Sequence, residues 1–257
     1  MSPPVTPGAF DIGRVLQRLF GVLGRNFMTF LVCAAVLTGL PMLLVGALQA
    51  GAVGQTGAGS VALLPILLFI TLPVALITGA LLQAAIIHGT VSDLNGRKAS
   101  LTDCLTTSLR LLLPVVAISI LTGIAYFVGL IFLIVPGIIV ALAFCVAVPA
   151  EVVERLGIIE SIGRSVELTR NHRGAIFALF VLYVVVLFIV QLIGAALAGV
   201  LGTASPLGFV RANYLIATPL IQTVNALIAA AGIGSVYYEL RSIKEGIGPE
   251  ALAAVFD

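Results

Sequence analysis

Charge along this chain is confined to four short stretches, 11–25, 93–110, 151–173 and 239–257, which hold 23 of its 24 Asp, Glu, Lys and Arg residues. The intervals between them run to 67, 40 and 65 residues, and Arg211 is the only charge in any of them. A helix crossing ~30 Å of hydrocarbon needs ~20 apolar residues at ~1.5 Å each, so each interval has room for two crossings and a turn. Two crossings return the chain to the side it left. The pattern predicts an all-α integral membrane protein with six transmembrane helices and all four charged stretches, hence both termini, on one side. Twelve of the 13 Lys and Arg residues lie there, which makes that side cytoplasmic by the positive-inside rule.

The spans fall at about 27–48, 61–87, 111–134, 136–150, 175–201 and 214–237, within a single domain covering 1–257. Two outer connections, GAVGQTGAGS and GTASPLGFVRAN, are short and rich in Gly, Ser and Thr. The third, Leu130 to Gly137, holds no polar residue, and Pro136 supplies the expected break. The fourth span is short for a bilayer. Either it continues through Val152 and Val153 past Glu151, or the 111–150 hairpin is tilted with local thinning of the lipid, and tilt or thinning is the favoured reading.

A short amphipathic stretch precedes the first, third and fifth spans. In 11–25, Ile12, Val15, Leu16, Leu19 and Leu23 share one helical face while Arg14 and Arg18 lie on another. Ser100-Leu101-Thr102-Asp103 opens the second like a capping box and leads through Leu105 and Leu109 to Arg110. The third, from Gly157 to Arg170, places Glu160 and Arg164 at i, i+4 spacing for an ion pair. These read as cytoplasmic interfacial helices. The recurring plan suggests three helix-plus-hairpin units, about 9–90, 98–153 and 157–240. Slight identity and unequal lengths leave open that any six-span protein with inward-facing charge would share it.

Hydrophobic residues at 60% and a mean hydropathy of +1.22 exclude a soluble globular chain. A net charge of +2 without blocks of like charge argues against nucleic acid. Cys33, Cys104 and Cys145 show no CxxC or Cys/His spacing and are expected to be free thiols packed as small apolar groups. No basic residue precedes an apolar run at the N-terminus, so no cleaved signal is expected, and helical spans point to a bacterial inner membrane.

No Asp, Glu, Lys or His lies at depth in a span, which argues against a proton-coupled carrier. The intramembrane polar residues are Gln83, Gln191, Gln222 and Asn225. Gln222 and Asn225 share a face at i, i+3 and are expected to bond neighbouring helices, with a small polar cavity near Gln83, Gln222 and Asn225 as the alternative. Stripes Gly194-Ala198-Gly202 and Ala226-Ala230-Gly234 would bring the last two spans close together. His88 and His172 stand outside any metal-ligand pattern, and neither catalytic residue, metal nor cofactor is expected. The densest polar segment, 151–173, carries four acids and four arginines. It suits a salt-bridged solvated face, or headgroup contacts through Arg164, Arg170 and Arg173, joined by Arg14 and Arg18.

The run VPGIIVALAFCVAVPAEVVERLGIIESIGRSVELTRNHRG at 135–174 and the closing VYYELRSIKEG at 236–246 resemble the membrane domain attached to some glycerophosphoryl diester phosphodiesterases and its stand-alone relatives. The motifs are Pro136-Gly137, Pro149 before an acidic turn, Arg164-Ser165 to Leu168-Thr169, and Tyr237-Tyr238-Glu239-Leu240-Arg241; the first half of the chain matches in layout only. The resemblance implies a helical membrane module without catalytic residues, since the phosphodiesterase chemistry belongs to a separate soluble barrel. His172-Arg173-Gly174 copies three letters of that barrel's signature at a membrane edge, by chance. The expected function is a non-enzymatic inner-membrane protein whose cytoplasmic helices engage anionic lipid headgroups or a soluble partner, with a small-solute or lipid permease as the alternative.

Overall fold

A computed structural model of the chain describes residues 10–53, 58–201, 209–210 and 212–246, with backbone alone at 52–53, 58–64 and 68. These residues are helical throughout, with no strand among them. Six segments are long and apolar enough to cross a membrane: Phe27–Gly51, Pro65–Leu94, Leu112–Phe132, Ile134–Glu154, Arg173–Leu201 and Asn213–Glu245.

Helix α1, Ile12–Arg25, starts where the Asp11 carboxylate accepts the Gly13 and Arg14 amides, Oδ1 lying 2.7 and 3.3 Å away. It buries Val15, Leu19 and Val22 and ends at Asn26, whose side chain donates to the Val22 carbonyl and to Asp93 Oδ1 at 2.7 Å. The first span then runs through α2, Phe27–Ala34, a π-helical turn at Ala35–Gly39, and α3, Leu40–Val53. Helix α4, Ala58–Leu94, follows; Gly96 at φ 78° turns the chain toward α5, Leu101–Arg110. Ser100 sits at the N-cap of α5 without a side-chain cap bond, so the expected capping box does not form.

Helices α6, Leu112–Phe132, and α7, Ile134–Phe144, form the tightest hairpin. The break falls at Leu133, a single extended residue, and not at Pro136. A proline in the first turn of α7 has no helical acceptor to lose, so the helix begins ahead of it. Gly129 and Gly137 face each other here: a Cβ on Gly129 would lie 3.0 Å from Gly137 Cα. Helix α8, Ala147–Glu154, carries the fourth long apolar segment past Glu151 through Val152 and Val153.

Arg155 at φ 53° and Gly157 at φ 98° fold the chain back into α9, Ile158–Thr169. Asn171, also left-handed, leads into α10, Arg173–Leu201. A second π-helical turn, Asn213–Ala217, opens the last span, and α11, Thr218–Glu245, closes on left-handed Gly246.

The core lies between α4 and α11. Ala230 and Ala231 share a buried cluster with Leu82, Ala85 and Ile86 of α4 and Phe30, Cys33 and Ala34 of α2, while Ala226 packs against its edge. A Cβ on Gly234 would meet Thr90 Cγ2 at 3.1 Å. The stripe Ala226-Ala230-Gly234 thus packs on α4 and not on α10, as the sequence had suggested. The other stripe does serve the last pair: Gly194 lies under Ile221, and Ala198 packs with Ala217 and Ile221. Gly202 falls outside the described residues. Cys33 and Cys104 are buried in one cluster, and the neighbouring Cys33 thiol together with burial holds the Cys104 thiol far above its usual range.

Candidate functional site

The four charged stretches meet in one polar layer, knit mainly by arginine–carboxylate pairs. Glu239 of α11 is 2% exposed, and Arg14 and Arg18, one turn apart on α1, both bind it; Arg14 Nε reaches Oε1 at 3.1 Å. Arg18 also lies 5.0 Å over the Tyr238 ring. Arg25 reaches Asp93 at the end of α4, with Nε 3.1 Å from Oδ2, and that hydrogen bond raises its pKa. Two guanidinium partners compensate the buried carboxylate, so α1 is tied to the end of α11.

Arg164 is the centre of a second set. It binds Glu154 at 3.1 Å, Glu167 at 3.3 Å, and Glu245 at the end of α11. Burial alone would lower its pKa, but the Glu154 and Glu167 carboxylates outweigh it and the net shift is upward. The expected pair with Glu160 is not among its bonds, because tertiary carboxylates outcompete the i−4 neighbour. Tyr237 Oη donates to Glu154 at 2.6 Å, Arg241 Nε donates to Glu245 at 2.7 Å, and Lys244 donates to the Glu167 carbonyl.

A stripe of hydroxyls on α9 performs a task not anticipated from the sequence. Between α7 and α8 the helix is interrupted at Cys145 and Val146. Buried Ser165 donates to the Ala143 carbonyl at 2.8 Å and accepts the Val146 amide at 3.2 Å, mending the break. Thr169 adds a longer bond to Ala143 at 3.4 Å. One turn before Ser165, Ser161 donates to buried Glu151 at 2.9 Å, which also accepts the Gly157 amide at 2.8 Å. The signal was present as Ser161-Ser165-Thr169 at i+4 spacing, a polar stripe in an interfacial helix.

Of the five arginines expected at headgroups, three are thus engaged by carboxylates within the chain. Arg170 and Arg173 have no carboxylate partner among the described residues. They flank a shallow cleft of ≈ 470 Å³ lined also by Val166, Asn171 and Gly174. Arg173 Nε is buried there without an acceptor among the described residues.

The intramembrane polar residues separate. Gln191 and Gln222 lie on exposed flanks of α10 and α11. Asn225 is buried, and its Oδ1 has no partner among the described residues, where the expected interhelical bonds from Gln222 and Asn225 are not formed. A helix face that is polar by sequence can still point outward. Gln83 lines a different cleft of ≈ 280 Å³ with Ser119, Thr122 and Tyr126, to which neither Gln222 nor Asn225 contributes. No group of three His, Cys, Asp or Glu suited to a metal occurs among the described residues.

Comparison with protein-family models, with curated proteins and with solved structures finds no match to this chain.

Proposed function

We propose that this chain is a non-enzymatic bacterial inner-membrane protein, with both termini cytoplasmic, whose interfacial layer holds an anionic lipid headgroup between Arg170 and Arg173. The observation that carries this reading is that these two guanidiniums have no carboxylate partner among the described residues and stand beside an open cleft, in a layer where Arg164 of α9 is saturated by carboxylates. A buried N–H without an acceptor costs ~1–3 kcal/mol, and a phosphate oxygen would satisfy it in the two-pronged way guanidinium groups favour. Each basic group near an anionic leaflet adds ~1 kcal/mol. The layout of the chain also fits the membrane domain of the glycerophosphoryl diester phosphodiesterases, and three helix-plus-hairpin units.

The test is lipid retention. The protein is reconstituted in equimolar phosphatidylcholine and phosphatidylglycerol, extracted in mild detergent, and its bound lipid is counted by native mass spectrometry. Arg170→Gln/Arg173→Gln should lose phosphatidylglycerol, and Arg14→Gln/Arg18→Gln should keep it. Equal retention by wild type and the Arg170→Gln/Arg173→Gln variant would defeat the reading, and lipid loss confined to Arg14→Gln/Arg18→Gln would move the site elsewhere.

A further inference from the structure

We infer that the cleft between α4, α6 and α7 is a lateral binding site for the head of a neutral acylglycerol, of diacylglycerol type, that enters from the bilayer. Its walls combine Gln83 of α4, Ser119, Thr122, Gly123 and Tyr126 of α6, and an apolar side that includes Phe144. Gln83 and Tyr126 make no side-chain hydrogen bond to the described residues, although a carboxamide surrounded by hydrocarbon gains from one. Both residues line the cleft with their donors unengaged.

The hydroxyls of the other wall are already committed. Ser119 donates to the Val115 carbonyl at 2.8 Å and Thr122 to the Ile118 carbonyl at 2.7 Å, so their hydrogens are used and their oxygen lone pairs remain. The cleft therefore offers acceptors at Ser119 and Thr122, donors at Tyr126, and both kinds at Gln83. A ligand that matches must carry a hydroxyl donor and a carbonyl acceptor close together. No charged side chain lines the cleft, so the head has to be neutral. A free phosphate or phosphodiester at this depth would remain unpaired, at a desolvation cost well above what four neutral hydrogen bonds return.

Size and depth agree with this. A volume of ≈ 280 Å³ falls at or just below the ~300–1,000 Å³ of pockets that hold whole ligands, so it accommodates a head while tails stay in the membrane. Gln83 lies ten residues before Asp93 on one helix, about 15 Å below the polar layer. Neutral glycerides can reach that depth and charged phospholipids cannot.

The test uses full-length protein in phosphatidylcholine vesicles carrying a trace of diacylglycerol with a diazirine near its glycerol. Irradiation should label peptides that contain Gln83 or Ser119 to Tyr126. Excess unlabelled diacylglycerol should compete, and its methyl-capped ether, which lacks the hydroxyl donor, should compete about tenfold less, equivalent to ~1.4 kcal/mol. Gln83→Leu should reduce labelling by a similar factor, and Tyr126→Phe, at an exposed position, provides a second variant should Gln83→Leu misfold. Equal competition by the capped analogue, labelling unchanged in a folded Gln83→Leu or Tyr126→Phe variant, or equal labelling by a diazirine phosphatidylglycerol would overturn the assignment.

Discussion

Replacing Ser165 by Ala should destabilise the protein far more than the loss of one hydroxyl suggests. In the native chain Ser165 serves two backbone groups that the interruption at Cys145–Val146 has released, the Ala143 carbonyl and the Val146 amide. An orphaned buried backbone group costs ~1–3 kcal/mol. Thr169, 3.4 Å from the Ala143 oxygen, can partly replace one bond, but no other described residue is bonded to the Val146 amide. The net effect should be ~2–3 kcal/mol, or a fall of ~4–12 °C in Tm at the ~2–4 °C per kcal/mol typical of chains this long. The chain has no Trp, so the melt is followed by far-ultraviolet circular dichroism in one detergent. Ser119→Ala is the control, since its hydroxyl bonds only to Val115 within its own helix and its removal should cost no more than ~0.5 kcal/mol. If Ser165→Ala melts with Ser119→Ala, the mending role is refuted.

Two further outcomes test packing and orientation. A Cβ at Gly46 would overlap the Tyr214 carbonyl oxygen in the second π-helical turn, whereas one at Gly79 meets nothing within 4 Å. Gly46→Ala should therefore lower Tm and Gly79→Ala leave it unchanged or raise it, by up to ~1 kcal/mol, and the reverse order would show that the first span does not pack on residue 214. In intact cells carrying a cysteine-free background, an impermeant maleimide should label Gln55→Cys and spare Gly163→Cys; labelling at Gly163→Cys would contradict the proposed sidedness. Gly163 is preferred to Ser161 as a probe because Ser161 is fully buried against Glu151.

Much of the fold was legible because hydrocarbon thickness and helical pitch leave few alternatives. Charge intervals placed all six long apolar segments, and apolar spacing around Arg14 and Arg18 placed α1. The failures have specific causes. Pro136 suggested a break at itself, yet a first-turn proline ends nothing behind it, and the chain turns at Leu133. Glu160 and Arg164 have the spacing of a pair, but spacing is blind to Glu154 and Glu245, which arrive from other helices. Polarity marked Gln222 and Asn225 without saying which face of α11 each occupies, and only the packing with α4 puts Asn225 inside and Gln222 outside. The interruption in the fourth span was legible only in part. Pro149, the third residue of α8, can neither bond nor approach the Cys145 carbonyl, a signal read only as part of a motif, and what no local pattern shows is that Ser165 of α9 supplies the substitute hydrogen bonds.

The polar layer shows why three of the five arginines expected at headgroups are not available for lipid. Surface ion pairs are worth ~0–1 kcal/mol each, so a solvated face of balanced charge would leave its arginines free to exchange partners. Glu239 and Glu151 are instead 2% and 5% exposed, and a carboxylate so deeply placed must keep its partners. Arg14 and Arg18 are committed to Glu239, and Arg164 to three carboxylates at once. This commitment anchors α1 and α9 to the end of α11. Arg170 and Arg173 escape because left-handed Asn171 turns the chain between them, away from α9 and the carboxylates it gathers. The same turn that frees these two guanidiniums also opens the cleft beside them, so a single backbone feature sets both the charge and the space of the proposed headgroup site.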